Sequence, residues 1–249
     1  MSGRVVDRQP KRGGKGEESL ELVTWMGRPP DKPTNCPAGL EYLTSLDKLR
    51  VSQTFGAEGP VCNFENNNYV IKNGRGQQVY FASEETNCFC RQCCGPARAF
   101  HMSLYDKLSR EVLHLVRPAR CDACCFPCCL MTLTVKTGDE ETLGYVKQKW
   151  NIFHGILEVQ DADKKPWYHI RGPACPCRCF SNMEFKILSL EEDKKAVGSI
   201  AKRWGGPQDK YNMDHENFEI EFPFEADVRM KAVLLGACFL VNYMYFEMS

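Results

Sequence analysis

One segment near the C-terminus constrains the fold of this chain more than any other. Residues 232–246 form an apolar run interrupted only by Asn242, with Arg229 and Lys231 before it and Glu247 after it. A helix over this run is apolar on every side, so it must be surrounded completely, either by protein or by lipid. Its buried positions would include Ala232, Leu235, Phe239, Asn242 and Phe246.

The length of the run bears on which of the two surroundings is favoured. At about 1.5 Å per residue it spans roughly 22 Å, which is short of the roughly 30 Å hydrocarbon core of a bilayer. We therefore predict a helix over 228–247 and place burial in a protein core slightly ahead of a membrane span. If the helix does span a membrane, the Arg and Lys before it put the rest of the chain in the cytoplasm.

Upstream of this run the pattern is strand, turn, strand. Residues 69–72 lead through Asn73-Gly74, the strongest short hairpin signal, into a second apolar stretch at 79–81. Three further pairs of alternating stretches with polar turns follow, and no helical periodicity occurs before residue 228. Regularly spaced short strands predict an all-β sandwich or barrel. The four predicted hairpins cover 69–81, 100–116, 156–170 and 183–200.

Composition excludes two other classes of protein. The 249 residues carry 32 Lys+Arg and 32 Asp+Glu, and this zero net charge is not that of a generally basic nucleic-acid binder. A mean hydropathy of −0.41 excludes a protein with several membrane spans. Residues 1–35 combine Gly, Pro and basic residues and predict a flexible solvated tail, with a membrane-surface or nuclear-import element as the alternative.

A chain of this length buries enough surface to be stable without disulfide cross-links, so a small core does not explain its 15 cysteines. Residues 1–18 lack the apolar segment of a secretion signal, so we expect a reducing cytosol, where structural disulfides are rare. The odd number also leaves at least one thiol unpaired. Thiols or thiolates are therefore the expected state.

The cysteines fall into three clusters, within 88–94, 121–129 and 175–179. Two C-x-x-C pairs, Cys90 with Cys93 and Cys121 with Cys124, have the spacing of a structural zinc site. The adjacent doublets in the uncharged stretch 124–130 instead suit S-acylation, in which thioester-linked chains hold a loop at a bilayer. This chemistry supports acylation and metal binding about equally, with buried free thiols close behind.

Residues 214–225 place acids at the first, third and twelfth positions of a calcium loop. The stretch departs from an EF-hand at Phe218 and Glu219, where that loop needs an oxygen ligand and Gly. A strand is the preferred interpretation, with Glu219 and Glu221 on the other face. Any calcium site here would be weak. The apolar face of the predicted strand consists of Phe218, Ile220, Phe222 and Phe224.

No catalytic motif is present in the sequence. There is no nucleophile elbow, P-loop or zinc-protease motif, and the five histidines are scattered. His101, His114 and His169 fall inside strand patterns, where a structural role is expected. Lys202-Arg203-Trp204 is by itself weak support for nuclear import or phosphate contact. We therefore do not expect an enzyme.

Between residues 35 and 247 the chain resembles the phospholipid scramblase family. Many motifs occur in one order, which makes the resemblance specific. They are Cys36-Pro37-Ala38-Gly39-Leu40-Glu41-Tyr42-Leu43, Val79-Tyr80-Phe81-Ala82, Cys93-Cys94-Gly95-Pro96, Arg117-Pro118-Ala119-Arg120-Cys121, Val197-Gly198-Ser199-Ile200, Asn217-Phe218 with Phe222-Pro223, and Met230-Lys231-Ala232 leading to Gly236-Ala237-Cys238-Phe239-Leu240.

The resemblance implies an all-β fold with one helix. The implied fold is similar to the tubby C-terminal domain, a closed antiparallel barrel of about twelve strands around a hydrophobic C-terminal helix. The family is also usually described as a single-pass type II membrane protein with that same segment in the bilayer. Both placements of the helix therefore stay open at this point.

The implied activity is calcium-dependent, ATP-independent, bidirectional movement of phospholipids between leaflets of the plasma membrane. By position the resemblance puts palmitoylation on Cys124, Cys125, Cys128 and Cys129. It puts calcium on the side chains of Asp214, Glu216 and Glu225, on backbone groups of Phe218 and Ile220, and on Phe222 through its backbone or a water. It puts a nuclear-import segment over 198–206, which includes Gly198, Lys202, Arg203 and Trp204.

The implied partners are anionic phospholipids, a plasma membrane and further copies of the chain, with an import receptor and DNA when the protein is unacylated. SH3 and WW partners are not expected, since the family's Pro-rich N-terminal region is absent. An acylated lipid- or protein-binding module that shuttles to the nucleus is the alternative function. A zinc-stabilised protein built on the C-x-x-C pairs is the less favoured third interpretation.

Overall fold

A computed structural model describes residues 23–30, 35–54, 67–85, 99–119, 130–151, 153–173, 183–191, 195–203 and 217–245. A 3-10 helix, Glu41–Ser45, comes before twelve strands, and an α-helix, α1, Val228–Tyr245, follows them. The strands are β1 Lys48–Thr54, β2 Asn68–Asn73, β3 Gln78–Glu85, β4 Phe100–Tyr105, β5 Glu111–Arg117, β6 Thr132–Thr137, β7 Thr142–Lys149, β8 Ile156–Asp161, β9 Pro166–Arg171, β10 Met183–Leu188, β11 Ala196–Arg203 and β12 Asn217–Glu221.

The strands form one closed antiparallel barrel. Each strand pairs with its neighbours in the sequence, and β1 pairs with β12 to close the sheet, with Lys48 opposite Glu221. Closure leaves no unpaired edge strand. The predicted barrel of about twelve strands around a C-terminal helix is therefore confirmed, as are the four predicted hairpins.

This up-and-down order places every connection at one of two ends. At the turn end, short turns join β2 to β3, β4 to β5, β6 to β7, β8 to β9 and β10 to β11, and β12 leads into α1. At the loop end, the connections join β1 to β2, β3 to β4, β5 to β6, β7 to β8, β9 to β10 and β11 to β12. Helix α1 runs through the barrel and finishes at the loop end.

Helix α1 fills the interior of the barrel. Every residue from Lys231 to Tyr243 is buried. The helix lies close to β6, where a Cβ on Gly236 would be only 2.7 Å from the Val135 side chain. Within the part of the chain that is described, α1 is also the helix with the length and composition to cross a membrane. The structure places it inside protein, which answers the question that length left open.

Polar contacts hold α1 at its N-terminus. Asp227 caps the helix, its Oδ1 accepting a hydrogen bond from the Met230 backbone N at 2.7 Å. The buried Lys231 ammonium donates to the backbone oxygens of Leu43 and Leu46, at 3.1 and 2.6 Å. These oxygens lie at the end of the 3-10 helix, where the Leu43 oxygen also accepts a hydrogen bond from Leu46 N at 3.4 Å.

Two details differ from the sequence-based expectation. Phe224 was expected on the apolar face of a strand, but it is fully exposed at 102% of its reference area. Strand β12 ends at Glu221, and a turn in which Ala226 N donates to Pro223 O redirects the chain into α1. The predicted tail, 1–35, also contains a stretch that lies on the barrel, since Trp25 bridges Gln78 and Arg28 pairs with Glu41 at 2.6 Å.

Candidate functional site at the loop end of the barrel

The loop end gathers most of the segments to which the sequence assigned lipid or metal chemistry. The connection 118–131 joins β5 to β6, 86–99 joins β3 to β4, 172–182 joins β9 to β10, and 204–216 joins β11 to β12. Each of these connections leaves the barrel from strand ends at the loop end. All three cysteine clusters belong to them.

Several predicted site residues lie outside the described part of the chain. They are the palmitoylation residues Cys124, Cys125, Cys128 and Cys129, the C-x-x-C residues Cys90, Cys93 and Cys121, the acids Asp214 and Glu216, and Trp204 and Phe246. Their assignments remain predictions. The topology adds that the two connections carrying the C-x-x-C pairs flank the same strand pair, β4 and β5, so a shared zinc ion stays open.

The strands that flank the predicted acylation segment are firmly held. Arg117, the last residue of β5, is buried, and its guanidinium lies over the Phe100 ring, 5.5 Å from the centroid. On the β6 side, Met131 is held by Gln148: Gln148 N donates to Met131 O at 2.8 Å, and Met131 N donates to Gln148 Oε1 at 3.0 Å. The strand ends on either side of the predicted acylation segment are thus fixed by contacts within the barrel.

A buried polar cluster lies beneath these connections, around the last turn of α1. Glu84 is fully buried, and its Oε2 accepts hydrogen bonds from Tyr243 at 2.6 Å and from Asn67 at 2.8 Å. Asn242 donates to the Tyr69 hydroxyl at 3.1 Å. Buried polar groups are costly unless they are hydrogen-bonded, so this cluster fixes how α1 ends against the barrel wall. Asn242, noted in the sequence only as an interruption, is part of it.

The described β7–β8 connection forms an aromatic tip at this end. Asn151 Oδ1 accepts hydrogen bonds from the backbone N of Phe153 and of His154, both at 2.9 Å. Trp150 is 55% exposed and Phe153 is 71% exposed on either side of this turn. Neither residue was predicted from the sequence. A signal was available, since Trp150 and Phe153 lie close together in a short connection between two strand patterns.

The described members of the predicted calcium set do not converge. Phe218 and Ile220 lie in β12, which pairs with both β1 and β11, so their backbone groups face neighbouring strands and their side chains fill the core. Phe222 follows at the turn end, and Glu225 is exposed there. At about 3.4 Å per residue, β12 separates the chain before Asn217 from the chain after Glu221 by about 17 Å.

The predicted nuclear-import segment begins in β11. Gly198 lies opposite Ile187, and a Cβ there would lie 2.4 Å from the Glu221 backbone oxygen. Lys202 Nζ lies 5.9 Å from the centre of the Phe218 ring, and Arg203 ends the strand. The first residues of this segment, 198–203, are thus part of the barrel wall.

The described residues contain no group of three or more His, Cys, Asp or Glu side chains placed to hold a metal ion. Two described cysteines, Cys36 and Cys238, are buried. Burial raises the pKa of the Cys238 thiol to about 12, so this residue of α1 is a protonated core side chain at neutral pH.

A Ser–His–Glu group lies on the β4–β5 wall. Ser103 Oγ donates to Glu111 Oε1 at 2.7 Å and lies 3.2 Å from His114 Nδ1, which is itself 2.8 Å from the same carboxylate oxygen. A nucleophilic serine must reach its substrate and give its proton to a base. Ser103 is only 2% exposed and donates to the carboxylate, so we assign the group to cross-strand stabilisation.

Comparison with known proteins gives a consistent result over the whole chain. A family model described as Scramblase matches residues 26–248. Phospholipid scramblase 2 of Bos taurus is 43% identical over 248 residues, which is 99% of this chain and 83% of that protein. Phospholipid scramblase 1 of Mus musculus is 43% identical over 250 residues, which cover 99% of this chain and 74% of that protein. Phospholipid scramblase family member 5 of Homo sapiens is 38% identical over 214 residues, which cover 86% of this chain and 79% of that protein. No solved structure matches the chain.

Proposed function

The chain belongs to the scramblase family, and on that premise we propose that it moves phospholipids in both directions between the leaflets of the plasma membrane, without ATP and in response to calcium. The observation that carries the proposal is the extent of the match, which runs through the barrel and α1 together. Such a protein lowers the barrier to lipid movement and breaks no covalent bond, so it is a transporter rather than an enzyme.

The filled barrel limits where lipid can move. Helix α1 occupies the interior from Lys231 to Tyr243, and its side chains there are apolar except for Lys231 and Asn242 near the two ends. A phospholipid headgroup needs a polar, hydrated path. We therefore propose that lipid crosses outside the barrel, where the loop end disturbs the bilayer. Self-association of several copies would enlarge such a disturbance, since local thinning lowers the distance that a headgroup must travel.

Membrane attachment follows from the same premise. We propose that palmitoyl chains on Cys124, Cys125, Cys128 and Cys129 hold the protein on the cytoplasmic face while α1 stays inside the barrel. Each buried CH2 group contributes about 0.8 kcal/mol, so two or more chains anchor stably where one does not. A single-pass arrangement would instead require α1 to give up the hydrogen bonds of Lys231, Asn242 and Tyr243.

Calcium is proposed to act at the loop end rather than through all six predicted residues. Asp214 and Glu216 come just before β12 at that end, whereas Glu225 leaves from the turn end. Two carboxylates make a weak site, and lipid phosphate oxygens are suitable further ligands for a hard cation. Binding of this kind would bring calcium and the bilayer to the same surface.

The deciding experiment is reconstitution of the palmitoylated full chain in vesicles with a fluorescent phospholipid in both leaflets. We expect calcium to increase the fraction of probe that an impermeant reductant bleaches beyond the outer-leaflet half. A variant with Cys124, Cys125, Cys128 and Cys129 replaced by Ser serves as the unanchored control. Calcium-dependent bleaching no greater than in protein-free vesicles would reject the proposed function.

The filled barrel also favours a second candidate. An acylated module that gathers anionic lipid or protein partners needs no lipid path, and release of its acyl chains would free it for nuclear import and DNA binding. In cells, blocking palmitoylation should then move the protein from the membrane to the nucleus. A protein that stays wholly at the membrane after that treatment contradicts the shuttle.

A further inference from the structure

The aromatic tip between β7 and β8 is built to hold two apolar side chains in solvent. The Asn151 side chain fixes the turn through its two hydrogen bonds to the backbone. Behind the turn, Gly172 N donates to Gly155 O at 2.8 Å, and Tyr245, the last residue of α1, lies against Gly155. The tip is therefore tied to β9 and to the helix, and Trp150 and Phe153 project from a braced base.

The aromatic tip adjoins the predicted acylation segment. Thr132 at the start of β6 lies opposite Lys147 in β7, and Gln148 holds Met131 through two hydrogen bonds. Met131 comes two residues after Cys129, and Gln148 comes two residues before Trp150. The aromatic pair and the base of that segment thus share one stretch of the barrel rim.

Cations lie on the strands that carry the aromatic tip. Lys149 comes directly before Trp150 at the end of β7. Lys147 lies two residues earlier in the strand, with its Nζ 5.8 Å from the centre of the Tyr145 ring. Arg171, at the end of β9, donates from Nη2 to His154 Nε2 at 2.6 Å. The acid among them is Glu158, which is 3.3 Å from Lys149 Nζ. Three cations against one carboxylate leave this part of the rim positive, which is complementary to an anionic bilayer.

The turn end provides a contrast within the same molecule. Phe224 is fully exposed there, but it lies among Glu221, Glu225 and Asp227. Glu221 pairs with Lys48 at 2.9 Å, and an anionic membrane surface would repel the other two carboxylates. Among the described residues, exposed aromatic groups occur at both ends of the barrel, and the aromatic tip at the loop end combines them with positive charge.

We propose that the aromatic tip is a membrane-insertion element, in which Trp150 and Phe153 enter the headgroup region of an anionic bilayer and Lys147, Lys149 and Arg171 contact lipid phosphates. Trp is favoured at this depth because its ring is apolar and its N–H remains hydrogen-bonded. The inference deepens the proposed function: it names the surface that orients the loop end on the membrane before any lipid moves.

The test measures docking separately from acylation and transport. The unacylated full chain is floated with phosphatidylcholine vesicles that contain or lack phosphatidylserine. We expect binding to the phosphatidylserine vesicles, and about a 10-fold or greater loss for Trp150→Ala/Phe153→Ala, since two aromatic rings no longer leave water. The matched control, Leu108→Ala/Phe224→Ala, removes exposed apolar groups at the turn end and should change binding less than about two-fold.

A second measurement locates Trp150 directly. Brominated acyl chains should quench wild-type tryptophan fluorescence more than that of Trp150→Phe, which keeps an aromatic ring and should still bind. Equal binding by wild type and Trp150→Ala/Phe153→Ala overturns the proposal. So does an equal loss of binding in Leu108→Ala/Phe224→Ala, or the absence of wild-type binding to vesicles with and without phosphatidylserine. A chain that docks through the tip but moves no lipid contradicts the proposed function alone.

Discussion

Lys231 shows how one residue can tie the central helix to the barrel. Its ammonium is buried and satisfies two backbone oxygens at the end of the 3-10 helix. Replacing it with Met leaves those oxygens without this donor, so we expect Lys231→Met to lower the free energy of unfolding by about 1–3 kcal/mol. Urea denaturation followed by tryptophan fluorescence measures this. Arg229→Met removes an exposed ion pair with Glu141 and should lower the free energy of unfolding by less than about 1 kcal/mol. An equal loss of stability in the two variants would contradict the role assigned to Lys231.

The same residue predicts a pH dependence. Burial lowers the pKa of Lys231 from its ordinary value of 10.5, and the charge of Asp47 offsets part of this. Between the lowered pKa and 10.5 the unfolded chain binds more protons than the folded one, so stability rises with pH in that interval. Wild type should therefore gain stability relative to Lys231→Met as an alkaline buffer is raised toward pH 10.5. A constant difference between the two proteins would contradict the expectation.

The calcium assignment can also be resolved at the residue scale. Strand β12 separates the acids before it from Glu225, so we expect only the former to serve calcium at the loop end. In the vesicle assay, Asp214→Asn/Glu216→Gln should shift the calcium response to concentrations at least about 10-fold higher, because both charged ligands are lost. Glu225→Gln should leave the response unchanged. A shift caused by Glu225→Gln alone would support a site that wraps around β12 and reject this division.

At the scale of elements, four turns share one construction. In each, the first residue's side chain accepts a hydrogen bond from the backbone N four residues on, and the residue three positions on has positive φ. Three of the four predicted hairpins, 69–81, 100–116 and 156–170, thus have the same turn, and the fourth turn of this kind joins β6 to β7. The first residues are Asn73, Asp106, Thr137 and Asp161, and the positive-φ residues are Gly76, Ser109, Glu140 and Lys164.

This construction predicts opposite effects of similar substitutions. Ser109 has φ 57°, a conformation that costs an L-residue about 1 kcal/mol, so Ser109→Gly should stabilise the protein by up to that amount. Gly76→Ala should destabilise it by about 1 kcal/mol, since φ there is 78°. Gly74→Ala, in the same turn but without positive φ and with open space around it, is the neutral control. Thermal unfolding measures all three; a stabilising Gly76→Ala would contradict the shared construction.

At the scale of the whole molecule, the barrel and its helix are one folding unit. The apolar surface of α1 is removed from water by strands on all sides, so the helix amides should be among the slowest to exchange in plain buffer. Hydrogen exchange over residues 231–243 should also be unchanged by phosphatidylserine vesicles, because docking occurs outside the barrel. Vesicle-induced exchange in this helix would mean that α1 leaves the barrel, and would favour the single-pass arrangement.

Local sequence signals recovered much of the fold and little of the candidate site. Asn73-Gly74 and the alternating stretches predicted four hairpins, but β6–β7 was missed although Thr137-Gly138 marks its turn. Trp150 and Phe153 were missed because exposure depends on where a turn lies relative to the core. Glu84 and Arg117 were missed because their partners come from distant strands and from the helix.

The sequence by itself determined the strand-and-turn alternation, the grouping of the cysteines and the need to surround residues 232–246, since each depends on neighbours along the chain. Only the tertiary structure decided what surrounds that helix, because lipid and a ring of apolar strand faces satisfy an all-apolar helix equally well. It alone also decided which loops meet. In a closed meander of twelve strands, alternate connections share an end, and this brings the cysteine clusters, the end of α1 and the aromatic tip together.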